Sequence, residues 1–219
     1  MKQPTGHIYL VDDDDDIRSY LGDLLQRYGY SVSMYGSAEA FLQDTIDITP
    51  AVAVLDMRLP GISGVNLQDR LNEIRRGLPV IFISGNCRRE QIIRAFRNGA
   101  IDFLWKPFQI ETLFEAIAMA VQKDMAREEL LRKVQILSQR LDRLTPREHD
   151  FMLRMLDGYT NKEIAMLEGV TADNIKKYRA TILDKMQADT LAELIVMCRE
   201  AGISPDNAVP SDEVAPTAE

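Results

Sequence analysis

The stretch HIYLVDDDDDIRSYLGDLL, residues 7–25, places an apolar run before five consecutive aspartates and the aspartates directly before a helical pattern. A short apolar run of this kind indicates a buried strand. The helix that follows would begin in an acidic first turn, where carboxylates face the positive end of the helix dipole. Clustered carboxylates also raise one another's pKa, so we expect some of the five to meet a compensating positive charge.

Up to residue 108, short apolar runs alternate with amphipathic segments. Five strands are predicted, at the runs HIYLV, YSVSMY, AVAVLD, PVIFIS and IDFLW. Helices are predicted near residues 16–28, 37–43, 64–76 and 88–98. Ser37 and Ser63 stand where N-caps are needed. The rhythm indicates βαβ units, and therefore an α/β domain whose parallel sheet has helices on both faces.

The second half of the chain has a helical pattern throughout. A fifth helix opens after Pro107 and has no obvious end. A heptad seam of about two heptads runs along it: Leu130, Val134, Leu137, Leu141 and Leu144. So short a seam fits either a dimerising linker or a helix that packs on its own domains. Thr145, Pro146 and Glu148 then form a capping box that starts a new helix.

These patterns divide the chain into a first domain at 1–122, a helical linker at 123–143, an all-α domain at 144–203 and a disordered tail at 204–219. No apolar run approaches the roughly 20 residues needed to cross a bilayer, and no signal-peptide pattern is present, so we expect a cytoplasmic protein. The two cysteines have no metal-ligand spacing. A net charge of -8 argues against general affinity for nucleic acid, so any such contact must be local.

Polar side chains end several of the predicted strands. Asp12 and Asp13 end the first, Asp56 the third, Ser84 the fourth and Lys106 the fifth. Because ligands bind at the carboxyl ends of strands in an open parallel sheet, these groups should converge on one edge. Oxygen ligands with room for water favour Mg²⁺ there. The other three aspartates of the run are interpreted as the cap and first turn of the helix.

The ordered set VDDD with Arg18, LDMRLPGISG, ISG and KPF resembles the receiver domain of two-component response regulators over residues 6–122. The resemblance implies a flavodoxin-like, doubly wound sheet of five strands in the order 2-1-3-4-5. It also implies Mg²⁺ as the cofactor, at a site of four residues: Asp13, Asp56 and the Met57 main-chain carbonyl would hold the ion, and Asp12 would act largely through a bound water.

The same resemblance implies the roles of the remaining pocket residues. Asp56 would be the phospho-accepting nucleophile, and Lys106 would pair with a phosphate oxygen. Ser84 would hydrogen-bond the phosphoryl group, and Phe103 would move inward with it. The Lys106-Pro107 bond resembles the family's cis peptide. Period-2 alternation places Phe103 and Trp105 on one face of the fifth strand.

Residues 144–202 resemble the LuxR-type helix-turn-helix, and the stretch that carries the resemblance is LTPREHDFMLRMLDGYTNKEIAMLEGVTADNIKKYRATILDKM, residues 144–186. The whole chain thus resembles a NarL/FixJ-type regulator, and its linker length and SAEAFL segment are similar to those of FixJ-like proteins. The pattern predicts a turn at Gly169 and a recognition helix capped by Thr171, with one apolar face and one outer face. The predicted DNA contacts are Lys162, Asn174, Lys176, Lys177, Arg179, Thr181 and Lys185. The family usually has a histidine at Tyr178 and a threonine at Asn174.

The resemblance implies a transcriptional regulator activated by phosphotransfer from a sensor histidine kinase to Asp56. Phosphorylation would promote a homodimer that binds a double-stranded DNA operator, and RNA polymerase is a further candidate partner. No catalysis is expected beyond the chain's own phosphorylation and dephosphorylation. Two alternatives remain open: a regulator controlled by protein contacts alone, and a phosphohydrolase that uses the Asp13-x-Asp15 pattern.

Overall fold

The computed structural model describes residues 6–74 and 77–203. The chain divides into two compact units, 1–128 and 129–219. The predicted tail, 204–219, and the last two positions of the predicted third helix lie outside the described residues. Within the described part, no helix is both long enough and apolar enough to span a membrane.

The first unit contains a five-stranded parallel sheet of order β2-β1-β3-β4-β5, which confirms the predicted fold class. Its strands are β1 (His7–Val11), β2 (Ser31–Tyr35), β3 (Ala51–Asp56), β4 (Val80–Ser84) and β5 (Asp102–Trp105). Its helices are α1 (Asp15–Arg27), α2 (Ala38–Leu42), α3 (Gly64–Ile74) and α4 (Arg89–Arg97), and α5 (Ile110–Leu141) begins in this unit and ends in the second.

Two apolar clusters cover the two faces of this sheet. Along β1, Tyr9 and Val11 belong to one cluster, and Ile8 and Leu10 belong to the other. Successive side chains of a strand point to opposite faces, so a strand buried on both sides must be apolar throughout. This explains why β1, β3 and β4 are buried at every position.

The helix caps follow from the local sequence. Asp14 is the N-cap of α1, and its carboxylate accepts hydrogen bonds from the main-chain N–H groups of Asp16 and Ile17. Asp15 and Asp16 lie in the first turn, as the acidic-turn interpretation predicts. Ser37 caps α2. Only Asp12 and Asp13 of the aspartate run therefore remain for the edge of the sheet.

The second unit contains α6 (Pro146–Leu156), α7 (Asn161–Glu168), α8 (Ala172–Met186) and α9 (Leu191–Glu200). The predicted capping box at Thr145 is present, and Thr171 caps α8. Gly169 ends α7 in the left-handed conformation, which glycine adopts without steric cost. The turn and recognition helix predicted from the sequence are thus in place.

The heptad seam of α5 divides between two environments. Leu137 is only 2% exposed and lies in the core of the second unit, and Leu141 and Leu144 pack partly against it. Leu130 is 47% exposed. The C-terminal part of the seam therefore packs on its own domain. The domain limits predicted at 122/123 and 143/144 stay predictions, since the compact units divide at 128/129.

Leu137→Ala should lower the free energy of unfolding of the second unit by about 2–4 kcal/mol, because it leaves a cavity in a close-packed core. Leu130→Ala should change it by less than about 0.5 kcal/mol. Urea unfolding of the full chain, followed by circular dichroism, measures both. Equal losses in the two variants would show that Leu130 is also buried in solution.

Candidate functional site

Three carboxylates meet at the carboxyl ends of β1 and β3. Oxygen atoms of Asp12, Asp13 and Asp56 all lie within 4.8 Å of one another. Asp12 is fully buried and Asp56 is 8% exposed, whereas Asp13 is open to solvent. Oxygen-only donors with one ligand facing water suit Mg²⁺, which retains several waters. The donor set therefore fits the predicted cofactor.

Lys106 supplies a positive charge to this cluster. Its Nζ donates a hydrogen bond to Asp12 Oδ2 at 2.6 Å and another to Asp56 Oδ2 at 2.7 Å. Its main-chain N–H donates to the Ser84 carbonyl, and the bond to Pro107 is cis as predicted. The lysine that follows β5 thereby joins the ends of β1 and β3.

The pKa values of Asp12 and Lys106 reflect the burial of both groups and the hydrogen bond between them. Burial raises the pKa of the Asp12 carboxyl, and the hydrogen bond from Lys106 offsets only part of the rise. Burial alone would lower the pKa of Lys106, but the hydrogen bonds to Asp12 and Asp56 outweigh it and raise the pKa above its ordinary value. The ammonium form of Lys106 is therefore favoured.

The turn after Asp56 folds back on the start of α3. The main-chain carbonyl of Met57 accepts a hydrogen bond from Gly64 N–H at 3.1 Å, and Arg58 N–H donates to Asp56 Oδ1 at 2.7 Å. The Met57 carbonyl oxygen already accepts one hydrogen bond, but its second lone pair can still bind a metal ion. The role of Met57 as a metal ligand therefore stays a prediction.

Ser84 and Phe103 lie beside this edge. Ser84 is fully buried, and its hydroxyl donates to the Asn86 carbonyl at 3.1 Å. Phe103 packs partly against one sheet core, and its ring centroid lies 5.0 Å from that of Trp105. Leu104 is buried on the other face, and Trp105 is 50% exposed. The predicted alternation is confirmed, and Trp105 is not a core residue.

In the second unit, the outer side of α8 forms a polar cleft. Its lining residues are Glu148, Asn174, Lys177, Tyr178 and Thr181. Thr181 Oγ1 donates to the Lys177 carbonyl, and both side chains are exposed. Three residues predicted to contact DNA therefore share one surface.

The other residues predicted to contact DNA differ in their exposure and in whether they already form an ion pair. Lys162 is exposed in the first turn of α7, and Arg179 is half-buried. Lys176 pairs with the exposed Asp173 at 3.0 Å. Lys185 donates to the nearly buried Glu148 at 2.6 Å, and this contact lowers the pKa of the Glu148 carboxyl. Lys185 therefore already has a partner within its own domain, and its DNA contact stays a prediction.

Comparison with known proteins agrees with this geometry. Residues 8–118 match the family described as response regulator receiver domain, and residues 142–198 match that of bacterial regulatory proteins, luxR family. Nodulation protein W of Bradyrhizobium diazoefficiens is 37% identical over 90% of this chain and 87% of its own. The chain is a response regulator of the NarL/FixJ type.

Two further comparisons cover the full architecture. The transcriptional regulatory protein FixJ of Rhizobium meliloti is 32% identical over 90% of this chain and 97% of its own. A low-resolution structure of the response regulator StyR has a TM-score of 0.80 at 32% identity and covers 90% of this chain and 100% of its own. The receiver and LuxR-type units therefore occur together in relatives of similar length.

Two side chains of this response regulator hold the loops around the pocket, and sequence reasoning assigned neither a role. Arg18 Nη1 donates to the Asp12 carbonyl at 2.6 Å, and its other arm pairs with Asp15. Glu39 of α2 accepts a hydrogen bond from Ile62 N–H at 3.1 Å, which holds the β3–α3 loop. Arg18 belongs to the sequence motif that resembles the receiver domain, whereas Ile62, the partner of Glu39, lies on a loop distant in sequence that no local pattern indicates.

Gly64→Ala should lower the free energy of unfolding by about 1–3 kcal/mol, because the new Cβ would lie 2.2 Å from the Asp56 carbonyl oxygen and force the backbone to move. Gly85→Ala is the matched control, since its Cβ would meet nothing closer than 3.9 Å. Thermal unfolding of the two variants and the wild type measures the difference. A loss in Gly85→Ala as large as that in Gly64→Ala would contradict the close approach at α3.

Proposed function

We propose that this response regulator is a DNA-binding transcription factor that a sensor histidine kinase activates by phosphorylating Asp56. The observation that carries the proposal is the Lys106 ammonium bonded to both Asp12 and Asp56 beside a three-carboxylate cluster. Phosphoryl transfer requires an in-line nucleophile and neutralisation of charge, and this edge of the sheet has groups for both.

In the proposed reaction, a carboxylate oxygen of Asp56 attacks phosphorus, an O–P bond forms, and the N–P bond of the donor histidine breaks. The Lys106 ammonium then donates to a phosphoryl oxygen the hydrogen bond that it had donated to the Asp56 carboxylate. Mg²⁺, when bound by Asp12, Asp13 and Asp56, supplies further positive charge against the phosphoryl oxygens. Hydrolysis of the aspartyl phosphate by water returns the chain to its starting state, so its catalysis is confined to its own modification.

The main-chain ligand of the metal would come from the turn after Asp56. Met57 is the predicted residue, and its carbonyl already accepts from Gly64. Among the described residues, no main-chain N–H donates to the carbonyl of Arg58, the next residue. We therefore propose that the main-chain ligand is the carbonyl oxygen of Met57 or that of Arg58.

Phosphorylation would act on the rest of the chain through Ser84 and Phe103. The Ser84 hydroxyl would exchange the Asn86 carbonyl for a phosphoryl oxygen. Phe103 would move inward and change the surroundings of Trp105, which its ring contacts. Such a coupled shift of a strand and its neighbours is a common switching device in signalling proteins.

Dimerisation is the proposed link between phosphorylation and DNA. Residues 144–203 include ten acidic and eight basic side chains, so a single chain should bind DNA weakly. Two linked chains double the phosphate contacts through effective concentration. Action on an operator implies the cytoplasm as the location and RNA polymerase as a further partner.

The structure weighs against the phosphohydrolase alternative. The Asp13-x-Asp15 pattern would need both carboxylates in the pocket. Asp15 instead lies in the first turn of α1, is exposed and pairs with Arg18. Control by protein contacts without phosphorylation would leave the buried Asp12 and Asp56, and the Lys106 that bonds both, without a chemical role.

Asp56→Asn should abolish labelling by acetyl phosphate without unfolding the chain, since the swap removes the nucleophile at nearly constant shape. Beryllofluoride with Mg²⁺ should shift the emission of Trp105 in the wild type but not in the variant. Asp23→Asn, an exposed change on α1, is the control and should behave as the wild type. Full hydroxylamine-sensitive labelling of Asp56→Asn would refute the assignment.

Asp13→Asn should weaken Mg²⁺ binding about tenfold or more, because it removes one of three carboxylate ligands. Asp15→Asn should leave binding nearly unchanged, since Asp15 faces solvent beside Arg18. Calorimetric titration of the unphosphorylated chain with MgCl₂ measures both without relying on phosphotransfer. If the two variants bound Mg²⁺ equally weakly, the assignment of the aspartate run would be wrong.

A further inference from the structure

Arg147 has an unusual position at the start of α6. It is the second helical residue, after Pro146, and it is exposed. The positive end of the helix dipole disfavours a cation in the first turn. A residue that breaks a local rule in this way often serves a function instead of stability.

Two aromatic rings hold the guanidinium of Arg147. Its Cζ lies 5.6 Å from the ring centroid of Phe151 and 5.8 Å from that of Tyr178. The two rings contact each other edge to face, with centroids 4.8 Å apart. Phe151 is buried, so the cluster rests on the core of the unit. These cation–π contacts order the side chain without neutralising its charge.

Arg147 takes part in none of the ion pairs found among the described residues. Other cations of the second unit do have carboxylate partners there: Lys133, Arg154, Lys176 and Lys185. In an acidic domain, a cation held by rings instead of a carboxylate keeps its full charge for an external anion.

The ring of Tyr178 links Arg147 to the recognition helix. Tyr178 is half-buried on α8 and lines the same cleft as Asn174, Lys177 and Thr181. Arg147 therefore lies at the boundary between the core face of α8 and its predicted DNA-facing side. The two rings contact the guanidinium through cation–π interactions, which leaves its N–H groups available to bond phosphate oxygens in pairs.

We propose that Arg147 contacts a DNA phosphate and that Tyr178 orients it. Arg147 and Tyr178 together would thus take the place of the histidine that the family usually has at position 178. The inference rests on the DNA interface proposed for α8. Tyr178 acts through Arg147 as a positioning residue, and a guanidinium already held by the two rings loses little conformational freedom when it binds.

The test measures DNA affinity of the full chain against KCl concentration by fluorescence anisotropy, with Mg²⁺ and beryllofluoride present. The probes are a duplex that the wild type selects from a random pool and an unrelated duplex of equal length. Arg147→Met should weaken binding to both and reduce the salt slope by about one for each bound chain. Arg147→Lys should keep the slope and bind with intermediate affinity.

The positioning role predicts a separate pattern. Tyr178→Phe retains the ring and should bind as the wild type, whereas Tyr178→Leu should weaken binding. Arg147→Met should cost less affinity in the Tyr178→Leu background than alone, because the two residues act as a unit. Arg132→Ala removes the same charge from α5, where Arg132 pairs with the exposed Glu129, and should leave the slope unchanged.

The outcomes separate this inference from the DNA interface itself. A wild-type slope in Arg147→Met, with Lys177→Ala reducing it, would show that Arg147 only packs on the rings. A wild-type slope in both variants would overturn the interface on α8 together with the inference. Circular dichroism of each variant separates loss of fold from loss of contact, and Arg147→Gln, which also removes the charge, provides the same slope test if Arg147→Met unfolds.

Discussion

The receiver unit depends on charge compensation at the carboxyl edge of its sheet. Asp12 directly follows β1, Asp56 ends the adjacent β3, and both are almost completely buried. A buried carboxylate without a partner is strongly destabilising. Lys106 bonds both of them from the end of β5. The order of the strands makes this contact available, and the contact in turn ties three strand ends together. A cation or phosphoryl group that binds in the pocket must therefore interact with carboxylates and an ammonium that are already paired with each other.

The helical unit meets a related constraint with different means. Its acidic residues outnumber its basic ones, yet a LuxR-type domain must approach a polyanion. Several of its cations are held in ion pairs, of which the one between Lys185 and the nearly buried Glu148 fastens α8 to the start of α6. At the proposed DNA interface, affinity would come from the remaining charges around α8, such as Lys177. In the proposed mechanism, assembly of two chains would raise the affinity for DNA and so serve as the control step.

Much of the fold could be predicted because its signals are local. The strands of the receiver unit follow from continuous apolar runs, which any strand covered on both faces must have. The caps at Ser37, Thr145 and Thr171 follow from side chains that accept hydrogen bonds from N–H groups within the next turn. The heptad seam of α5 was ambiguous for the same reason, since spacing alone does not say what a helix packs against.

The sequence by itself determined the two units, the parallel sheet and the convergence of Asp12, Asp56 and Lys106, because strand ends in such a sheet share one edge. Only the tertiary structure decided the burial of Leu137, the partner of the Met57 carbonyl, the pairing of Lys185 with Glu148 and the cation–π contact of Arg147 with Tyr178. These contacts join side chains or loops from different elements. Periodicity and capping report on a single turn or strand, so they carry no information about which distant groups packing brings together.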